Sequence, residues 1–113
     1  MKIIDKKLTI EELKQMAAST FGNMVKAVVD VDREIVAVDA ELHSDLEALL
    51  LVDGSKQKNI WGINLYPDMH GEEFVEFDSL INIRPSRGNR SRGVESEEIR
   101  KKIISIVAER INR

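Results

Sequence analysis

Residues 24–40 constrain the fold more than any other stretch. Met24-Val25-Lys26-Ala27-Val28-Val29-Asp30-Val31 is dominated by valine, and a second valine-rich run follows over 34–40, with only Asp32-Arg33 between them. Branched residues suit a pleated, half-buried surface, and two such runs joined by a short polar link predict a hairpin. So short a link leaves no room for the crossover that parallel strands need, so the sheet built on this hairpin is antiparallel. The link is neither Asn-Gly nor Asp-Gly, which leaves the turn type open.

Helices are signalled on either side of the strands. Thr9 can cap the first, Glu12 completes a capping box, and Leu8 with Leu13 has the spacing of a hydrophobic staple. Leu13, Met16, Ala17 and Phe21 then share a face and Gly22 can end the helix, which is expected over 10–21. Ser96 can cap the last helix, and Glu97 and Glu98 suit its positive end. Ile99, Ile103, Val107 and Ile111 line one side, with Ile106 beside them, and Glu97–Lys101 and Glu98–Lys102 are favourable pairs at four-residue spacing.

Between hairpin and last helix, residues 59–66 alternate, with Trp61, Ile63 and Leu65 on one face of a strand. A turn over 67–73, a strand over 74–83 and a loop over 84–93 are expected to follow. Residues 41–52 admit two readings. Leu42, Leu46, Leu49 and Leu50 fit a helical stripe, whereas the apolar run 48–52 ending at Asp53-Gly54 fits a strand entering a turn. The expectation here is a loop or short turn over 41–45 followed by a strand. The predicted fold is α+β: one domain over 1–113, with an antiparallel sheet of about five strands and an N-terminal and a C-terminal helix packed on one face.

Composition excludes several classes. With no cysteine, disulfides, cysteine-type zinc sites and thiol nucleophiles are ruled out. Residues 1–7 are polar with no apolar run behind them, so no signal peptide is expected, and no apolar run approaches the ~20 residues of a spanning helix. A cytoplasmic setting with no membrane partner is the expectation. There is no Gly-x-Ser-x-Gly elbow, dinucleotide fingerprint or Walker-type loop.

Two further stretches carry a resemblance. One is His43-Ser44-Asp45-Leu46-Glu47-Ala48-Leu49-Leu50-Leu51-Val52-Asp53-Gly54-Ser55 followed by Trp61-Gly62-Ile63-Asn64-Leu65-Tyr66-Pro67; the other runs from Ser79-Leu80-Ile81-Asn82-Ile83-Arg84-Pro85 through Gly88-Asn89-Arg90-Ser91. Together they resemble a family of short prokaryotic proteins catalogued only as a domain of unknown function. The resemblance covers nearly the whole chain and implies no activity. Relatives often carry glycine where this chain has Asp39-Ala40.

Three constellations could carry chemistry. Arg84, Arg87, Arg90 and Arg92 fall within nine residues that hold no acid, in a chain of net charge −3. With Asn89 and two glycines, that loop offers guanidinium forks and free amides suited to phosphate or carboxylate, next to the positive end of the last helix; equally, it can be a solvated loop paired with an acidic body. His43, Asp45 and Glu47 would share a face if their segment were extended, as a general base with carboxylates or part of a divalent metal site, with Asp30, Asp32 and Asp39 as further ligands. The plainer reading is a histidine bonded to loop backbone among surface acids. Asn64 and Asn82 sit among apolar strand residues, lining either a polar pocket or simply the wet face of the sheet. Trp61 could stack a base, although its strand neighbours favour the core.

The leading expectation for function is a binding module for an anionic ligand or RNA, through Arg84, Arg87, Asn89, Arg90 and Arg92. The alternatives are a small metal-assisted hydrolase using His43, Asp45 and Glu47, and a homodimeric interaction protein pairing through a sheet edge or an unused sheet face.

Overall fold

The computed structural model describes residues 1–113. The hairpin forms where its valines demand it. Strands β3 (Val25–Asp30) and β4 (Ile35–Val38) pair antiparallel, with Val29 opposite Val36 and Ala27 opposite Val38. Asp30 Oδ1 stabilises the turn by accepting from the Asp32 and Arg33 N–H groups at 2.9 and 3.0 Å. Strand β1 (Lys2–Ile4) flanks β4, β5 (Ile60–Leu65) flanks β3, and β6 (Val75–Glu76) flanks β5. The five-stranded sheet has the order β1-β4-β3-β5-β6 and is antiparallel throughout. A separate short parallel pairing joins β2 (Leu8–Thr9) to β7 (Ile111–Asn112).

Strand alternation divides the sheet into two faces. Val25, Ala27, Val29, Val36, Val38, Trp61, Ile63 and Leu65 point to one of them. Helices α1 (Ile10–Ser19) and α3 (Glu97–Arg110) cover that face with Leu13, Ala17, Ile103, Ile106 and Val107. Fully burying a side chain such as Leu13 or Ile103 contributes about 1.5–3 kcal/mol. The expected caps are present: Thr9 Oγ1 accepts from the Glu12 N–H at 3.1 Å and Ser96 Oγ from the Ile99 N–H at 3.2 Å. Two helices therefore share one face, as the sequence predicts. Asp39 sits at φ 74°, in the left-handed region that glycine adopts most easily.

Residues 41–52 correct the sequence reading. They form helix α2 (His43–Val52), with no strand among them. His43, Leu46 and Leu50 recur at helical spacing and turn inward, where the two leucines meet Val28, Ile35, Ala37 and Ile60 on the second face of the sheet. Leu51 and Val52, which lend the run its strand-like look, are 40% and 90% exposed. The sheet face that a dimer was expected to use is partly covered by this helix. No helix is long and apolar enough to cross a membrane.

The strand expected over 74–83 also departs from prediction. The register of β6 on β5 would bring Asp78 opposite Gly62. Instead the chain climbs onto the second face and forms a 3-10 turn, Leu80–Asn82. The Asn82 side chain takes over the pairing that a strand would have supplied: Gly62 N–H donates to its Oδ1 at 2.8 Å, and its Nδ2 donates to the Gly62 carbonyl at 2.9 Å. One step along the edge, Arg84 Nη2 donates to the Ile60 carbonyl at 2.6 Å. Side chains thus close the free edge of β5, which would otherwise be open to non-native pairing.

Gly62 permits this arrangement because Ser79 lies directly over it. A Cβ at residue 62 would fall 2.5 Å from Ser79 Cβ and 3.1 Å from Ile81 Cγ1. Gly62→Ala is expected to lower stability by about 1–3 kcal/mol, the range for overpacking, and Ser79→Gly in the same background to recover part of the loss. Urea denaturation of the single and double variants measures both effects.

Candidate functional site

Residues 79–93 form a plug against the edge of β5, and the arginines they carry scatter around it. Arg84 is a strut with an 11% exposed side chain. Besides its bond to Ile60, it faces Glu47 Oε2 at 4.0 Å and lies 4.8 Å over the Trp61 ring. Burial pulls its guanidinium below the ordinary value and Glu47 partly offsets that. Asn89 is buried, its amide donating to the carbonyls of Asn82, Ser91 and Gly93 while Oδ1 accepts from the Glu95 N–H. Arg92 Nε donates to Asp78 Oδ1 at 2.6 Å. Arg90 is exposed. Its backbone N–H and that of Ser91 donate to Glu95 Oε2, holding this carboxyl below its usual range. Arg87 is exposed and lines a cleft with Lys58 and Trp61.

Helix α2 also redistributes the second constellation. His43 is buried, Asp45 is exposed on the first turn, and Glu47 turns toward Arg84. An extended segment would have aligned all three; the helix spreads them. No three histidine, aspartate or glutamate side chains converge into a set able to hold a metal ion.

Structure brings together a different group. On the second face of the sheet, Lys26 of β3, Asn64 of β5 and Glu76 of β6 stand directly opposite one another. Asn64 Nδ2 donates to Glu76 Oε1 at 2.9 Å, and Tyr66 O–H donates to the same oxygen at 2.9 Å. Burial and the Glu76 carboxylate raise the Tyr66 phenol. Beside this polar row, a cleft of about 210 Å³ opens between the start of α2 and the plug, lined by Lys26, Leu42, His43, Ser44, Ser79, Leu80, Ile81 and Arg92.

His43 anchors the cleft. Its Nε2 lies 2.8 Å from the Ile63 carbonyl. A carbonyl only accepts, so Nε2 carries the proton and Nδ1 keeps its lone pair. Burial is the main force lowering the imidazole pKa, and Lys26 acts in the same direction, while the Ile63 carbonyl, Asp78 and Asn64 oppose them. At neutral pH the ring is therefore neutral. The residue before it, Leu42, offers no side-chain cap to the first amides of α2, leaving the positive end of the helix at the cleft, with Asp45 on the same turn.

The profile of a family described as a protein of unknown function (DUF5674) matches residues 2–110. The chain belongs to that family. This agrees with the resemblance carried by residues 43–67 and 79–91, and membership brings no activity with it. No curated protein and no solved structure matches the chain. What the family's chemistry is must be argued from side chains.

Sequence reasoning picked out His43 and Arg92 but placed them in separate constellations, and it missed Lys26, Ser44 and Ser79. Lys26 left a trace, as the one cation inside the valine hairpin strand Val25–Asp30. Ser44 and Ser79 left none, because their positions depend on α2 and on the climb of the plug over Gly62.

Stability should report the depressed His43 directly. The folded pKa lies below the unfolded value of about 6.5. As pH falls from about 6.5 toward the folded value, the unfolded chain binds a proton that folded His43 refuses, so stability drops across that window and is unaffected by this group above it. Chemical denaturation at a series of pH values is expected to show this slope, and His43→Gln to remove it.

Proposed function

We propose that this protein binds a small oxyanion, a phosphate or a phosphate-bearing group, in the cleft between α2 and the plug. The observation that carries this reading is the convergence of Lys26, His43 and Arg92 on one cleft at a helix start without a side-chain cap. Lys26 supplies a compact charge and Arg92 a planar fork. The hydroxyls of Ser44 and Ser79 can donate to further oxygens. Neutral His43 accepts a proton-bearing oxygen through Nδ1, so a monoprotonated phosphate suits the site better than a fully ionised one. Its volume lies below the roughly 300 Å³ at which drug-sized pockets begin, consistent with a ligand the size of a phosphate group.

Several features favour a small anion over RNA. The arginines of 84–93 face different directions, two of them in ion pairs with Glu47 and Asp78. Trp61 is buried beneath Arg84 and presents no ring for a base to stack on. The hydrolase reading now rests on His43 alone among its three residues, since Asp45 and Glu47 lie outside this cleft.

Calorimetric titration with inorganic phosphate at low salt tests the proposal. Saturable binding is expected, weakened about tenfold or more by Lys26→Ala and by Arg92→Ala, given about 1.5–3 kcal/mol for a hydrogen bond to a charged group. Asp78→Asn, which releases Arg92 from its carboxylate, is expected to strengthen binding. An absence of saturable binding, or identical affinity in the Lys26→Ala/Arg92→Ala double variant, defeats the reading.

A further inference from the structure

On the other side of the plug, a second cleft of about 240 Å³ lies between residues 87–89 and the start of α3. Lys58, Trp61, Arg87, Gly88, Asn89 and Ser96 contribute to its wall, with Glu95 and Ile99. It belongs to the α1–α3 side of the sheet, because Trp61 alternates with Ile60 and Gly62 along β5.

Its distinguishing feature is an excess of hydrogen-bond donors. Trp61 is only 6% exposed, and its indole Nε1 is buried without an acceptor. The Arg84 guanidinium stacked on that ring has two more buried nitrogens, Nε and Nη1, in the same condition. Arg84 itself does not line the cleft, but Trp61 does; buried polar atoms are almost always paired, so the unpaired indole in the wall marks the place of an acceptor. Neither Lys58 nor Arg87 takes part in any ion pair. Glu95, the one acid in the wall, has its Oε2 committed to the Arg90 and Ser91 N–H groups. The nearby amide of Asn89 is fully engaged within the loop and holds its shape.

We propose that this cleft is a second oxyanion site, in which the Trp61 indole N–H, Lys58 and Arg87 hold a phosphate or carboxylate group. Lys58 and Arg87 supply the charge, and the indole supplies a donor whose position the β5 backbone fixes. The site lies across the sheet from the His43 cleft, shares none of its residues and stands whether or not that cleft binds.

Because Trp61 is the only tryptophan, the protein has a single indole N–H resonance and the test can be read at the proposed donor. The ¹⁵N-labelled full chain is titrated with inorganic phosphate, with acetate and with chloride at constant ionic strength. A saturable downfield shift of the indole resonance with phosphate or acetate, absent with chloride, is expected; which of the two binds more tightly identifies the oxyanion. Lys58→Ala and Arg87→Ala are each expected to weaken it about tenfold, whereas Lys26→Ala, which reports on the His43 cleft, leaves it unchanged. Both substituted positions are exposed, and an otherwise unchanged spectrum confirms that each variant is folded. An indole resonance unmoved by both oxyanions overturns the proposal. A shift that survives intact in the Lys58→Ala/Arg87→Ala double variant overturns it too.

Discussion

A two-way hydrogen bond between one side chain and one backbone unit organises the half of this molecule that holds both candidate sites. Asn82 gives Gly62 both the acceptor and the donor that a continued β6 would have given. With this edge satisfied, β6 can stop after two residues, and the chain is free to leave the sheet plane and stack over β5. Ser79 fits because residue 62 has no side chain. Both candidate sites follow from that geometry. The plug makes one wall of the His43 cleft with Ser79 and Arg92, and one wall of the Trp61 cleft with Arg87 and Asn89. A continuous strand over 74–83 would have produced neither.

The charge cluster in the loop shows how a correct local observation acquires a different meaning in three dimensions. Four arginines within nine residues do form an electropositive segment. Folding assigns each a separate duty. Arg84 pairs with backbone and stacks on Trp61, Arg92 engages Asp78 at one cleft, Arg87 stands at the other, and Arg90 remains in solvent. Density along the chain therefore did not become density in space, because a plug with two sides faces its residues in several directions.

Local signals were legible in proportion to how little they depended on distant residues. The Thr9–Glu12 box, the Ser96 cap and the valine hairpin are specified by near neighbours, and all formed as predicted. Helix α2 was misread because Leu51 and Val52 extend its apolar run while remaining exposed, and nothing local reveals which leucines find partners across the sheet. The asparagines were noticed as misfits among apolar neighbours. Their roles, Asn82 as a substitute strand and Asn64 as the centre of a polar row, required the strand order β3-β5-β6, which the sequence leaves unspecified. His43 was identified as a residue of interest, yet the carboxylates assigned to it were its sequence neighbours, whereas its companions in space come from β3 and the plug.

The pairing of β2 with β7 has a kinetic meaning. It joins Leu8 to Ile111, nearly the whole chain apart, through a ladder only two residues long, and Arg110 reinforces it by donating to the carbonyls of Lys6 and Glu34. Closing so large a loop costs chain entropy before any contact in it can form. The hairpin, with its short turn, can assemble early; this clasp becomes favourable only after α1 and α3 have docked on the sheet. It is a latch whose closure depends on the two helices already being in place.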